Sequence, residues 1–411
     1  MASIAQPMQS EMASLQAPAA AIKPRLLGPD ILRGFLLLWM TLTHMPTLAS
    51  VVSNQTFGFV SGAEGFIFLS AFMVSRLEQH IEQKSGVAAT FRDLLKRTIR
   101  VYLYHCGLLA IAFTLVAAVG VSFHRLALEN LLSYYLQSPR QAAIAAALLE
   151  YRPSLFDILP MYVIFMALTP VAREVARRWS WKPVLACSTL VWLAAQFGLR
   201  GWVYQHFHPF GIIVPYNSTG AFNLYGWQLL WMSGLALGSV SGQLPHGRSP
   251  LSEIRLKVPP AALKASLIVA GILLFLRYSP ADHWMNPDLY GKLIDKWQLG
   301  PVRLLNFAAL TAIIVRYGGK LTALPLVNRL ASLGQASIEV FSVHVLFCLG
   351  AHALSAEADP QFPWWEQILL LVVTVSGLFL TAYLAARYGR RARQRRAARA
   401  LSHLELQQRE S

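Results

Sequence analysis

Charge is what this chain has least of. Only 14% of its 411 residues are Asp, Glu, Lys or Arg, against roughly 25% in soluble domains. Acidic side chains are the scarcer sign, with 20 Asp+Glu against 36 Lys+Arg. So little charge excludes a largely disordered chain, a coiled coil and an ordinary cytosolic enzyme. Cysteine is sparse too. Cys106, Cys187 and Cys348 each lie in an apolar stretch, which is neither a disulfide framework nor a metal site. His206 and His208 are two histidines in one loop, too few to predict a metal, and none is expected. No cleavable signal peptide is visible, because residues 1–21 are polar and rich in Ala, Gln and Ser. No repeat of 20–50 residues and no similarity between halves is apparent, which weighs against a transporter built from inverted repeats.

Long hydrophobic runs fill the remainder. The chain is 55% hydrophobic with a mean hydropathy of +0.44. About 20 mostly apolar residues suffice to cross a bilayer as a helix. Ten segments qualify, near residues 31–50, 57–77, 101–121, 155–172, 183–200, 222–240, 260–277, 302–317, 336–354 and 366–386. The stretch 127–150 is broken by Ser138-Pro139-Arg140 and reads as a loop with one or two interfacial helices. Alternate loops differ sharply in basic residues. With the N-terminus inside, 26 of the 36 Lys and Arg fall on the cytoplasmic side and 8 on the other, the bias of a multi-pass membrane protein. The net charge of +16 is therefore assigned to topology and anionic lipid, and no nucleic-acid partner is expected. These features predict an all-α integral membrane protein of about ten transmembrane helices in one bundle, both termini cytoplasmic. Residues 1–24 are expected to be disordered, 25–387 to form the transmembrane domain and 388–411 a basic tail.

Ionisable residues inside spans are costly and usually face a cavity or a partner. Here they are Arg33 and His44 in the first segment, Glu64 in the second, His105 in the third, Asp157 in the fourth, and Glu339 and His344 in the ninth. Asn223 and Gln228 are uncharged polar companions in the sixth. Arg33 and His44 stand three helical turns apart on one face, about 16 Å along the axis. Arg33 is either an interfacial anchor or part of a site at the inner end, and His44 lies in the outer half. Glu64 and Asp157 are expected at a similar depth to His44. Asp157 serves either as a helix cap or as a buried partner of the histidine. A histidine with a carboxylate beside it is the arrangement of a general base. Arg97 and Arg100, one turn apart, are either positive-inside anchors or, with Arg33, a phosphate-binding group.

The R-x10-H of Arg33 and His44, the Arg97-x-x-Arg100 pair, the acidic Glu64 ahead of FIFLSAF and SIEVFSVH ending at His344 resemble the acyltransferase-3 superfamily of membrane acyltransferases. More narrowly, FGFVSGAEGFIFLSAFMVS, FDILPMYVIFMALTP, FNLYGWQLLWMSGLALG and GPVRLLNFAAL are similar to the OpgC family, over about residues 25–385. Ala71 departs from the glycine usual in the superfamily, and its His-Leu-Trp-type motif is missing from the fourth span. Both departures bear on substrate more than on reaction class. The resemblance implies transfer of an acyl group, succinyl in this family, from a cytoplasmic coenzyme A thioester to a hydroxyl of a periplasmic glucan, in the bacterial inner membrane. No permanently bound cofactor is implied, and acyl-coenzyme A is a co-substrate. By the same resemblance His44 is the base, with Asp157 preferred over Glu64 as its carboxylate and His344 as the next candidate. Arg33, Arg97 and Arg100 hold the donor phosphates, and Asn223 and Gln228 suit the sugar. Acetyl or other acyl transfer to another envelope polysaccharide is the runner-up. A transporter without chemistry and a scaffold for glucan-synthesis enzymes are the competing classes.

The charge bias makes a direct prediction. A reporter active only in the periplasm, fused after Arg399, is expected to stay silent, whereas strong activity would require an odd number of spans.

Overall fold

The computed structural model of the chain describes residues 27–207, 211–242, 256–280, 285–321, 325–359 and 361–410. The expected disordered segment 1–24 lies outside these residues, as does His208. Helices account for the regular structure, with no strand among the described residues. In chain order they are α1 (Leu27–His44), α2 (Leu48–Ser53), α3 (Gly62–Ile111), α4 (Ala117–Ser122), α5 (Leu126–Leu131), α6 (Ser133–Gln137), α7 (Pro139–Ala147), α8 (Ile158–Arg178) and α9 (Trp181–Gln196). There follow α10 (Leu199–His206), α11 (Leu224–Ser241), α12 (Pro260–Tyr278), α13 (Pro287–Ile294), α14 (Pro301–Leu321), α15 (Pro325–Gln335), α16 (Ser337–Ala353) and α17 (Trp364–Glu410). A π-helical turn, Ala112–Val116, links α3 to α4.

Local chemistry sets many boundaries. Proline opens α12, α13, α14 and α15, a position where its missing N–H costs nothing. The side chains of Asn223 and Asn286 accept backbone N–H bonds at the starts of α11 and α13. Within α3, Gly86 adopts φ 80 and ψ 174, a conformation open to glycine, so the chain breaks there and α3 is two helices joined at a kink. Residues 127–150 fold as three short helices, α5 to α7, instead of one or two. The basic stretch after residue 388 continues α17 as helix.

Five helical stretches are long and apolar enough to cross a membrane, namely Gly62–Ser122, Ile158–Arg178, Pro260–Tyr278, Pro301–Lys320 and Trp364–Ala392. Seven result if α9 with α10 (bent by 83°) and the α15–α16 pair (bent by 92°) each make one span. Only 6% of the apolar window of α12 and 17% of that of α17 are buried by protein. Apolar faces bared to that extent are stable against lipid, where exposure carries no hydrophobic cost.

The bundle closes through two intimate helix contacts. On α11, a Cβ at Gly234 would come within 2.4 Å of the Phe68 carbonyl oxygen, and one at Gly238 within 2.5 Å of that of Phe72. This small-xxx-small ridge lets α11 lie directly on α3. The Gly58–Gly62 spacing, which in sequence reads as such a ridge, is not one. Gly58 precedes α3, with φ +95 against the Asn306 side chain, so the two glycines do not share a helix face. The second contact joins α1 to α15. A Cβ on Gly34 would sit 1.9 Å from the Leu330 oxygen, and one on Gly334 1.9 Å from the Asp30 oxygen.

Because both obstructing atoms are backbone, Gly334→Ala should force α1 and α15 apart at a cost of about 1–3 kcal/mol. A clear fall in the thermal midpoint of the detergent-solubilised protein is expected. Gly350→Ala, where an added Cβ meets nothing within 4 Å, should leave the midpoint level or raise it.

Candidate active site

At one end of the bundle, where α1 finishes and α3, α8, α11 and α14 begin, lies a cavity of about 180 Å³. Its wall includes His44, Ser61, Asp157, Phe222, Lys296 and His344. Partly open to its surroundings, it has room for a group the size of a short acyl chain. His44 is half-buried at the last position of α1. His344, buried on α16, places its ring centroid 5.5 Å from that of His44. Behind it, His344 Nδ1 lies 3.5 Å from Cys348 Sγ, one turn further along the helix. His44 Nδ1 has no well-formed hydrogen bond among the described residues.

Asp157 immediately precedes α8 but does not cap it. Its carboxylate accepts the Ala221 N–H at 3.2 Å. The loop supplying that N–H is built for the purpose. Gly220 has φ +89, and a Cβ there would press on Arg152 and Asp157 at 3.0 and 3.4 Å. Arg200 donates to the Gly220 oxygen (2.6 Å), the Thr219 hydroxyl (2.8 Å) and the Ala221 oxygen (3.3 Å). Asp157 is thus the carboxylate that shares the cavity wall with the two histidines.

Glu64 is engaged elsewhere. Fully buried, it forms an ion pair with Arg303 of α14, itself 1% exposed. Its other oxygen accepts from the Ser61 N–H (3.0 Å) and the Ser61 hydroxyl (2.5 Å). Ser61 lines the cavity, so Glu64 shapes the wall through Ser61 and through the start of α3.

Arg33, Arg97 and Arg100 occupy the other end of the bundle. Arg33 donates to Ser337 Oγ at 2.6 Å, while Arg100 forms an ion pair with Glu339, so both meet the first turn of α16. Arg97 pairs with Asp93 one turn back. Since Arg33 contacts Ser337 and His44 contacts His344, α1 and α16 run parallel with Arg33 and His44 turned to the same neighbour. His105 is buried on α3 away from this wall.

Asn223 and Gln228 are tied to protein partners. Asn223 accepts from the Tyr225 N–H (3.0 Å) and donates to the Gln298 side chain. Gln228 accepts from the Ser188 hydroxyl (2.6 Å) and donates to the Ser188 and Tyr225 carbonyls (2.7 and 3.1 Å). They fasten α11 to α9 and to the loop before α14.

Residues that sequence reasoning missed are Lys296, Arg200 and Arg303. All three stood among the few basic residues assigned to the outer side, where charge is scarce, and Arg303 lies within GPVRLLNFAAL. That scarcity was the available signal. Lys296 reaches the cavity wall directly, Arg200 through the Gly220 loop and Arg303 through Glu64, all by tertiary contacts and not by spacing.

The family model described as OpgC protein matches residues 25–390. No match to the chain was found among curated proteins or among solved structures.

The Glu64–Arg303 pair gives a stability prediction. Removing one member of a buried pair costs about 3–5 kcal/mol, whereas replacing both by neutral groups is often close to neutral. Arg303→Met should therefore lower the thermal midpoint far more than the double variant Arg303→Met/Glu64→Gln. Equal losses would show that the two side chains act independently.

Proposed function

The chain belongs to the OpgC family, and on that premise we propose that it is a membrane O-acyltransferase. In this reading it moves a succinyl group from cytoplasmic acyl-coenzyme A to a hydroxyl of a periplasmic glucan, through ten spans of the bacterial inner membrane with both termini inside. The observation that carries the reading is the separation of two groups of side chains. His44, His344 and Asp157 line one cavity, and Arg33, Arg97 and Arg100 lie at the opposite end of the bundle, two of them against the first turn of the helix that carries His344.

The donor's phosphates are assigned to the arginine end. The pairs Arg97–Asp93 and Arg100–Glu339 are partly solvent-exposed, and exposed ion pairs contribute little, so both arginines can exchange a carboxylate for a phosphate at small cost. The pantetheine arm then spans the bundle and delivers the thioester to His44. A cavity of about 180 Å³ matches a short acyl group, with sugar and nucleotide remaining outside it. His44 takes the proton of the attacking glucan hydroxyl as the new C–O bond forms. The C–S bond breaks, and the departing thiolate recovers that proton from the imidazolium. Asp157 shares that cavity wall and is assigned the role of the carboxylate that favours the imidazolium. Gathering both reactants beside one base supplies the remaining acceleration.

The test uses purified protein with succinyl-coenzyme A and a glucan oligosaccharide, following release of the coenzyme A thiol. His44→Ala is expected to lose about 10²–10⁴ in rate while still binding coenzyme A, with His44→Gln little better. Arg33→Ala, Arg97→Ala and Arg100→Ala should each weaken coenzyme A binding by about 10- to 150-fold, the equivalent of a charge-assisted contact of roughly 1.5–3 kcal/mol, with the glucan KM little changed. Near-normal turnover in folded His44→Ala, or glucan flux without thiol release, contradicts the reading.

A further inference from the structure

Lys296 is the one Lys or Arg on the cavity wall among the described residues, and the structure holds its backbone with unusual thoroughness. It sits in the loop Asp295-Lys296-Trp297-Gln298-Leu299. Asp295 accepts the N–H groups of Trp297 (2.6 Å) and Gln298 (3.1 Å), closing a tight turn. Trp227 Nε1–H donates to the Lys296 and Trp297 carbonyls, at 3.2 Å each. The Asn223 N–H bonds the Trp297 oxygen at 2.9 Å, Gln196 the Gln298 oxygen at 2.9 Å, and Trp192 the Leu299 oxygen at 2.8 Å. A Cβ on Gly226 would strike the Gln298 oxygen at 2.4 Å. Two helices, α9 and α11, thus fix one short loop.

The ammonium carried by that loop lacks a counter-ion of its own. Among the described residues no carboxylate lies within ion-pair distance of it; the side chain is cradled by the Trp297 and Phe222 rings, with centroids 4.8 and 5.9 Å from Nζ. Burial pulls its pKa below the usual lysine range, opposed by the fields of Glu64 and Asp157. Both carboxylates have other partners: Glu64 the Arg303 guanidinium, Asp157 the Ala221 N–H. The N-terminal ends of α3 and α8 also border the cavity, and such ends favour negative charge. A cation held rigidly on the wall of a short cavity, without an ion pair, is a receptor for an anion that arrives with the substrate.

We propose that Lys296 binds the distal carboxylate of the acyl group and so selects donors whose acyl chain ends in an acid. The proposal deepens the acyltransferase reading and rests on it. In this geometry the thioester carbon lies toward His44 and His344 while the far end of the chain meets Lys296 on the same cavity wall. Lys296 is a specificity residue and takes no part in proton transfer.

The test compares succinyl-coenzyme A with butyryl-coenzyme A, which has the same carbon count and no second carboxylate. Full-length protein in proteoliposomes is supplied with glucan oligosaccharide, and thiol release is followed. Wild-type protein should prefer succinyl by about 10- to 150-fold in kcat/KM, the span of a hydrogen bond to a charged group. Lys296→Met should collapse that ratio toward one through a loss concentrated in succinyl transfer, and Lys296→Arg should retain part of it. A wild-type protein that uses both donors equally overturns the proposal without requiring any variant. So does an equal loss with both donors in Lys296→Met, since a purely structural role would lower both alike. Wild-type protein that releases thiol with neither donor overturns the acyltransferase reading itself, and the assignment of Lys296 with it.

Discussion

The ion pair between Glu64 and Arg303 is the contact on which the cavity depends. Both groups are out of water, and neither is tolerable alone in an apolar bundle. Their union ties the start of α3 to the start of α14. Through Ser61 the same carboxylate sets the first turn of α3, which forms part of the cavity wall. Immediately before α14 comes the clamped loop that carries Lys296. One electrostatic requirement therefore fixes the relative position of two parts of the cavity wall, the first turn of α3 and the Lys296 loop.

The surrounding polar groups show a division of labour. Arg200 and Gly220 exist to offer a single N–H to Asp157. Asn223, Gln228, Trp192 and Trp227 spend their hydrogen-bonding capacity on holding helices and loop together. At the cavity His44 Nδ1 has no well-formed hydrogen bond, His344 has only the Cys348 sulfur as a hydrogen-bond partner, and the Lys296 ammonium has no ion pair, all among the described residues. A few polar groups converging on one cavity wall mark where chemistry and selection are expected. At the opposite end Arg97 and Arg100 rest on carboxylates that are partly exposed and readily exchanged, a resting state suited to an anionic ligand that comes and goes.

Much of this was legible in the sequence, and the reasons differ by residue. The three-turn spacing of Arg33 and His44 placed them on one face, and their contacts with Ser337 and His344 of a single helix follow from that periodicity. Asp157 stood out because a carboxylate in an apolar run demands a reason. The role of Glu64 was not legible, since a buried acid next to a serine reads alike whether it faces a histidine or an arginine 239 positions away. Gly58 and Gly62 had the spacing of a packing ridge, yet the left-handed backbone at Gly58 removes it from the helix, and no pattern encodes that. Lys296 was hidden for a similar reason: a lysine in a polar loop resembles a solvated one until Trp192, Trp227 and Asn223 are seen to draw the loop inward. The division into spans was legible as hydrophobic runs, while length and composition of the folded helices support five to seven.

The central claim is that this bundle transfers an acyl group to glucan at His44. Mass spectrometry of periplasmic glucans tests it most directly, comparing a strain lacking this chain with the same strain carrying either the wild-type protein or His44→Ala at equal membrane levels. The account predicts glucans with succinyl mass increments only when the wild-type protein is present. Increments of equal abundance with His44→Ala, or none with the wild-type protein, would contradict it.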